Sequence, residues 1–228
     1  MPIERKLDRN EYLRCVNPYW AQKEAYYSES DKQNRITIKK NQHTGNVGEQ
    51  IVCNFLREIG IQCNDPFFEE YADPDRSKIW DMDTMGLSSF SLKTKKGKLY
   101  PIESVTVKSQ LQGTSKWCAK QIGGTDWEEG ASFMWQLSSR TRYQDPLLSE
   151  PGKPVLVFGV IVDAAKDFYN PPDNFVCKAL VSAFYWPAIS KKYWSDPIKK
   201  NLKGKKKIIY RKDIIHLDII NRLPDIIV

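Results

Sequence analysis

The residues best suited to chemistry in this chain are one lysine and a small set of carboxylates that precede it. Lys108 lies in YPIESVTVKSQLQG (residues 100–113), where an alternating strand-like stretch gives way to serine and glutamine. Asp81 and Asp83 lie in SKIWDMDTMG, and Glu49 lies in GNVGEQIV. Clustered carboxylates repel one another unless a cation lies between them, and Mg²⁺ in that position also binds phosphate oxygens. If these four residues converge, they form a candidate divalent-metal site.

A helix and two strands must bring these side chains together. The helix is predicted from residue 45 to Gly60, which is suited to stop it. Glu49 lies at the margin of its apolar stripe. The stripe consists of Val47, Ile51, Val52, Phe55, Leu56 and Ile59.

The strand pattern gives each polar residue a side. Asp81 and Asp83 share one face of the predicted strand in SKIWDMDTMG, and Thr106 and Lys108 share one face of the later strand. A lysine-glycine turn predicts an antiparallel hairpin within residues 88–109. Neighbouring elements usually pack together, so the helix carboxylate and the strand lysine are expected to meet.

The remaining segments predict an α/β or α+β fold with a mixed sheet flanked by helices. PVLVFGVIVDA has the apolar character of a strand buried on both faces, while FVCKALVSAFYWPAI and KKIIYRKDIIHLDII are expected to be strands or apolar segments. SKWCAKQIGG favours a short helix. Residues 1–44 are interpreted as a helical and linker extension, with a linker over 28–45, and residues 45–228 as the main domain.

These motifs together resemble the PD-(D/E)XK, or restriction-endonuclease-like, nuclease superfamily. The resemblance covers residues 45–125 and rests on GxxGE around Glu49, on Asp81 or Asp83, and on VxVKS around Lys108. It implies a Mg²⁺-dependent hydrolase of DNA phosphodiester bonds, with Mn²⁺ as an alternative metal. Asp81, Asp83 and Glu49 would hold the metal, and Lys108 would act on the attacking water.

One position departs from the superfamily pattern. Thr106 stands where an acidic residue usually precedes the lysine by two, and Glu49 is the carboxylate available to replace it. Glu103 is close in sequence but on the opposite strand face unless a bulge intervenes. The literal Pro74-Asp75 pair lies in a predicted loop and ranks below Asp81 and Asp83.

The positive charge of the chain is concentrated in one block. Residues 191–212 contain ten Lys or Arg and one Asp, hence +9, whereas the whole chain is +7. Such a block attracts a polyanion, with DNA or RNA the first candidate. The predicted DNA contacts are Gln110, Gln112, Lys199, Lys200, Lys203, Lys205, Lys206, Lys207 and Arg211.

Several classes of protein are disfavoured by composition. Five widely spaced cysteines without a Cys-x-x-Cys pair argue against a disulfide framework and a thiolate zinc site, and two histidines exclude a histidine-rich metal site. No apolar run is long enough for a membrane span, and MPIERKLDRN lacks a signal-peptide core, so a soluble cytoplasmic protein without membrane partners is expected.

The main hypothesis is an endodeoxyribonuclease, of the restriction type if it is site-specific. A site-specific enzyme is expected to be a twofold homodimer, with NPYWAQKEAYY (17–27) as a candidate contact. Two alternatives stay open: a DNA-binding protein that kept the scaffold without catalysis, and a subunit of a larger nucleic-acid-processing assembly. Each motif also has an ordinary explanation, since a lysine after a strand is usually a surface residue.

Overall fold

The architecture is a mixture of helices and strands. The computed structural model describes residues 3–16, 35–63, 90–93, 99–111, 133–136, 152–187 and 206–209. Within these ranges there are two helices, α1 (Arg9–Cys15) and α2 (Arg35–Glu58). The strands of the same ranges are β1 (Ile3–Leu7), β2 (Phe90–Lys93), β3 (Leu99–Ile102), β4 (Ser104–Leu111), β5 (Phe133–Gln136), β6 (Val155–Asp163), β7 (Cys177–Tyr185) and β8 (Lys206–Ile209). The predicted α+β class is thereby confirmed.

Four of the strands form one mixed sheet in the order β1-β7-β6-β4. β1 and β7 are antiparallel, β7 and β6 are antiparallel, and β6 and β4 are parallel. Parallel neighbours require a crossover connection, which the chain makes through residues 112–154. β4 is the terminal strand in this order, so among the described strands only one of its two edges is paired, the edge toward β6.

The centre of the sheet is the apolar strand β6. Every residue from Val155 to Val162 is buried, and the Phe158 ring meets Phe55 of α2 edge-to-face at 6.1 Å. β6 lies between β7 and β4, so both its edges are hydrogen-bonded and both its faces are covered. The predicted strand buried on both faces is therefore confirmed. β7 confirms a strand within the predicted segment FVCKALVSAFYWPAI.

The core-forming helix is α2, 24 residues long. Val47, Val52 and Leu56 of its predicted apolar stripe are fully buried. The helix ends as predicted: Gly60 has φ +84° and its N–H bonds to the Arg57 carbonyl at 3.0 Å. The predicted linker is wrong over residues 35–45, because α2 already begins at Arg35.

The N-terminal residues belong to the same core. α1 confirms a helix within the extension interpreted as helical and linker, and the Asp8 side chain caps it by accepting from the Glu11 N–H at 2.9 Å. β1 was not predicted as a strand; it pairs with β7 along its whole length. Asn46 of α2 donates to the Cys15 carbonyl at 3.1 Å, which joins the two helices.

The predicted hairpin is confirmed as β2 paired antiparallel with β3, Lys93 opposite Leu99. It does not run on unbroken into β4, because the strand is interrupted at Glu103. The Glu103 N–H instead bonds to the Pro154 carbonyl at 2.9 Å, and β4 then joins the four-stranded sheet. One continuous sequence pattern thus supplies strands to two sheets.

A third sheet, of two strands, includes the last described residues of the chain. β5 and β8 are antiparallel, which confirms a strand at the start of the predicted segment KKIIYRKDIIHLDII. The predicted short helix in SKWCAKQIGG lies outside the described residues. Within the described ranges, neither helix has the length and apolar character needed to cross a membrane.

Candidate active site

A close approach between α2 and β4 positions the candidate site. A Cβ atom added at Gly48 would overlap Ser109 Oγ and would lie 2.9 Å from Ser109 Cβ and 3.4 Å from Val160 Cβ. Only glycine allows the helix backbone to come this near to the strand. The second glycine of the GxxGE motif therefore has a packing role, and it brings the next residue, Glu49, beside the end of β4.

The side chains of β4 alternate between two faces of the sheet. Val105 lies in the core with α2, and Val107 and Leu111 pack partly against that core. Ser109 belongs to the same set, since it contacts Gly48. We call this the helix face of the sheet. Thr106, Lys108 and Gln110 alternate with these residues and so project from the opposite, far face.

Glu49 lies on the side of α2 toward the edge of β4 that is unpaired among the described strands. Around the helix, Glu58 pairs with Arg5 of β1 at 2.9 Å, Phe55 contacts β6, and Gly48 contacts β4. These contacts follow one another around the helix in the order β1, β6 and β4, which is also their order across the sheet. Successive residues of a helix are rotated by about 100° around its axis. Glu49 is therefore turned from Gly48 away from β6 and β1, toward the side beyond β4. Its Oε2 atom is buried, although the residue as a whole is half-buried.

The far face presents Lys108 beside a residue without a side chain. Lys108 is in register with Gly159 of β6, which is in register with Ser182 of β7. The two flanking positions of β4 on this face, Thr106 and Gln110, have the larger partners Val157 and Ile161. Lys108 is half-buried. Gly159 itself is buried.

Glu49 and Lys108 thus flank the edge strand from its two sides. A ligand contacting both groups has to lie around the edge of β4 that no described strand covers, or beyond the carboxyl end of β4. α2 lies on the helix face and Lys108 projects from the far face, so the expected meeting of the helix carboxylate with the strand lysine stays a prediction. The sequence prediction that Thr106 and Lys108 share a face agrees with the register.

The other predicted metal ligands, Asp81 and Asp83, lie outside the described residues. Within the described ranges no group of three His, Cys, Asp or Glu side chains is placed to hold a metal ion. Glu49 alone of the predicted ligands is described, and its partly buried carboxylate is the oxygen donor that Mg²⁺ prefers. The residue is therefore chemically suited to that role.

Of the predicted DNA contacts, three fall in described strands. Gln110 is half-buried, and its Nε2 is a buried donor without a hydrogen-bond partner among the described residues. In β8, Lys206 is in register with Gln136 and Lys207 with Trp135. The remaining predicted contacts, Gln112, Lys199, Lys200, Lys203, Lys205 and Arg211, lie outside the described residues.

A groove beyond the carboxyl end of β6 was not anticipated from the sequence. It has a volume of about 820 Å³ and is lined by Lys40 of α2 and by the segment between β6 and β7, including Lys166, Phe168 and Tyr169. Ligands of open sheets commonly bind beyond the carboxyl ends of parallel strands. Little in the sequence indicated this groove, because Lys40 lies in the stretch interpreted as a linker.

His43 lies next to this groove and has a packing role. It is fully buried, stacked on Phe168 at 6.2 Å and edge-on to Tyr169 at 5.5 Å. The Lys40 ammonium lies 5.9 Å from the centre of the Phe168 ring. These rings hold the first half of α2 against the segment that follows β6, and this contact orients the helix that carries Glu49.

Burial shifts the pKa of several groups behind the site. The pKa of the Cys15 thiol is raised well above its ordinary value, mainly by burial, with smaller contributions from negative charges that include Glu49. Burial also raises the pKa of Cys177, to about 12, and raises that of Tyr12, whose hydroxyl donates to the Phe168 carbonyl at 3.0 Å. These groups stay protonated at neutral pH and serve the core.

No protein-family model matches the chain, and comparisons with curated proteins and with solved structures find no significant similarity.

Proposed function

We propose that the protein is a Mg²⁺-dependent endodeoxyribonuclease built on a restriction-endonuclease-like core. The observation that carries the proposal is the placement of Glu49 and Lys108 on the two sides of the edge strand β4, with Gly48 packed against Ser109 between them. A carboxylate and an ammonium group around a strand edge that is unpaired among the described strands suit the binding of a metal–phosphate pair. The mixed α+β sheet is compatible with such a core.

Each residue of the site has a distinct role in this proposal. Glu49, Asp81 and Asp83 supply oxygen ligands for the divalent ion. The ion, when bound, lowers the pKa of water and neutralises charge on the phosphate. Lys108 donates a hydrogen bond that holds the attacking water and stabilises the additional negative charge of the pentavalent phosphorane. Thr106, on the same face, is neutral, so Glu49 takes the place of the missing strand carboxylate.

The decisive experiment measures nicking of supercoiled plasmid with Mg²⁺ or Mn²⁺ and compares matched variants. We expect Lys108→Ala to reduce the rate of nicking at least about 100-fold, since it removes a charge-stabilising donor. Lys178→Ala is the control, because Lys178 is an exposed lysine on the far face near the start of β7. Duplex, branched and single-stranded substrates belong in the same series. If no substrate is cut by the wild type, or Lys108→Ala cuts as fast as the control, the catalytic proposal is wrong.

The metal-ligand role of Glu49 has its own test. Glu49→Gln keeps the size of the side chain but removes its charge, so we expect a weaker apparent affinity for Mn²⁺ in calorimetry and slower nicking. Glu4→Gln, at an exposed position of β1, is the control. Equal Mn²⁺ affinity in the two variants would remove Glu49 from the metal site while leaving Lys108 to be judged separately.

The basic block is assigned to DNA backbone contacts. Removing the charge that neutralises one phosphate reduces the slope of log K against log salt by about 0.9. Replacing Lys199, Lys200 and Lys203 with alanine is therefore expected to reduce the slope by up to about 2.7 in a filter-binding titration. An unchanged slope would mean that the block contacts no phosphate.

A second function, DNA binding without cleavage, is favoured by Thr106. This residue shares the far face with Lys108 at the position where an acidic residue would complete the motif. The alternative predicts salt-dependent DNA binding, no tight Mn²⁺ site and no nicking. Calorimetry and the plasmid assay on the same preparation separate the two functions.

The proposed form of a site-specific enzyme is a twofold homodimer, because a palindromic site presents two equivalent scissile bonds. Sedimentation with and without duplex DNA tests this assembly. A monomer under both conditions would rule it out without affecting the cleavage proposal.

A further inference from the structure

Two cysteine thiols meet at the end of α2. Cys53 Sγ and Cys63 Sγ are 3.2 Å apart, and Cys63 Sγ also lies 3.6 Å from the Cys53 carbonyl oxygen. Both residues are thiols and are not joined by a disulfide. Cys53 is fully buried, whereas Cys63 retains 8% of its exposure. The sequence did not indicate this pair, because ten residues separate the two cysteines and a helix end lies between them.

The backbone around Cys63 holds the pair together. After Gly60, the Ile61 N–H bonds to the Leu56 carbonyl at 2.9 Å, which turns the chain back along the helix. Arg57, in the last turn, donates from Nε and Nη2 to the Cys63 carbonyl at 3.1 and 2.9 Å. Ile61 is buried beside them. The approach of the two sulfur atoms is therefore fixed by the helix end, and a bond of about 2.0 Å needs only a shift of about 1 Å.

We propose that Cys53 and Cys63 form an oxidation site, which a low-molecular-weight disulfide such as oxidised glutathione converts to an intramolecular disulfide. The thiolate of Cys63, the less buried of the two residues, attacks the reagent, forming a mixed disulfide and releasing one thiolate. The Cys53 thiolate then attacks the Cys63 sulfur, and the second thiolate leaves. Two protein thiols are oxidised, and one reagent disulfide is reduced to two thiols.

The bond would close a short loop over the end of α2. Such a cross-link stabilises the folded chain by restricting the unfolded one. The disulfide joins Cys53, one turn after Glu49, to the segment that follows the helix. The inference does not depend on the proposed nuclease activity.

The test is a redox titration of the purified, full-length protein with oxidised and reduced glutathione. Remaining thiols are alkylated after rapid unfolding, and tryptic peptides are identified by mass. We expect a disulfide between peptides 41–57 and 58–76, each of which contains one cysteine. We also expect the oxidised wild type to melt about 5 °C or more above the reduced protein.

Matched variants assign the bond. Cys63→Ser, at the more exposed position, should abolish both the linked peptides and the rise in Tm. Cys177→Ser should retain both, because Cys177 is a buried thiol elsewhere in the core. The wild-type peptide map decides the outcome even if a variant folds poorly.

The proposal is overturned if both thiols of the folded wild type are still alkylated after equilibration with excess oxidised glutathione. It is also overturned if the linked peptides pair other cysteines or two chains. Glutathione retained on Cys63 without the second step would equally contradict it, since the 3.2 Å approach requires rapid resolution by Cys53.

Discussion

β4 and β6 are neighbouring parallel strands in register, yet their residues differ sharply. β6 is apolar and buried along its length up to Val162, whereas β4 becomes polar at Lys108. The register pairs Lys108 with Gly159 and Ser109 with Val160. β6 is bonded on both edges, and β4 is the terminal strand among those described. The same ladder thus joins a buried apolar strand to one whose second half is polar and half-buried.

The largest effect expected from this difference is on stability. Phe158→Ala removes a fully buried ring that packs against Phe55, and we expect it to lower the free energy of unfolding by about 3–5 kcal/mol. Thr106→Ala, on β4 at a half-buried position, should cost less than about 1 kcal/mol. Urea denaturation followed by circular dichroism measures both. Equal costs would mean that the two strands contribute alike to the core.

The contact between α2 and β4 gives the next effect. Gly48→Ala places a Cβ against Ser109, and the resulting shift should cost about 1–3 kcal/mol. Gly45→Ala is the matched control, because nothing lies within 4 Å of a Cβ at Gly45 and alanine favours the helix by about 1 kcal/mol. In urea denaturation we expect Gly48→Ala to lower the free energy of unfolding and Gly45→Ala to raise it. Stabilisation by both substitutions would show that α2 does not pack closely on the strand.

The sequence predicted the parts of this arrangement that depend on local periodicity. The stripe through Val52 and Leu56 specified the buried side of α2, and the unbroken apolar run specified β6. Alternation along β4 correctly put Thr106 and Lys108 on one face. Glu49 at the margin of the stripe agrees with its half-buried position.

Long-range contacts explain what the sequence did not reveal. The first turns of α2 are polar, and their buried residues depend on distant partners: His43 packs on Phe168, and Asn46 bonds to Cys15. β1 is a short polar strand that becomes regular by pairing with β7, far along the chain. The parallel pairing of β4 with β6 depends on a crossover of more than forty residues, which no local pattern encodes.

A pH dependence extends the comparison to β7, the other neighbour of β6. Burial raises the pKa of Cys177 from 9.0 to about 12, with a further contribution from the charge of Asp163. The folded state therefore favours the neutral thiol. Its stabilising effect is complete below pH 9 and is lost as the pH rises toward 12, by about 1.4 kcal/mol per pH unit.

The measurement is urea denaturation from pH 8 to 10.5 for the wild type and Cys177→Ala. We expect the free energy of unfolding to fall less steeply with pH in the variant, because the thiol that ionises in the unfolded chain is gone. The difference between the two curves isolates Cys177 from the other groups that titrate in this range. Parallel curves would mean that the thiol ionises as readily in the folded protein as in the unfolded chain.

The smallest effect concerns the paired positions Ser109 and Val160. Ser109 Oγ is buried and has no hydrogen-bond partner among the described residues, so Ser109→Ala should leave stability unchanged or raise it by up to about 1 kcal/mol. Val160→Thr introduces a hydroxyl at the matching position of β6 and should cost about 1–3 kcal/mol. Thermal and urea denaturation measure both.

The sign of the Ser109→Ala effect bears on what the polar end of β4 is for. A hydroxyl that adds no stability, beside Gly48 and Lys108, is explained by contact with a ligand or by tolerance at an edge strand, and nicking assays of Ser109→Ala distinguish these explanations. A loss of more than about 1 kcal/mol would instead show that the hydroxyl is bonded in the folded protein. In that case the polar end of β4 also stabilises the fold. The two strands would then differ in the polarity of their residues but not in whether they contribute to stability.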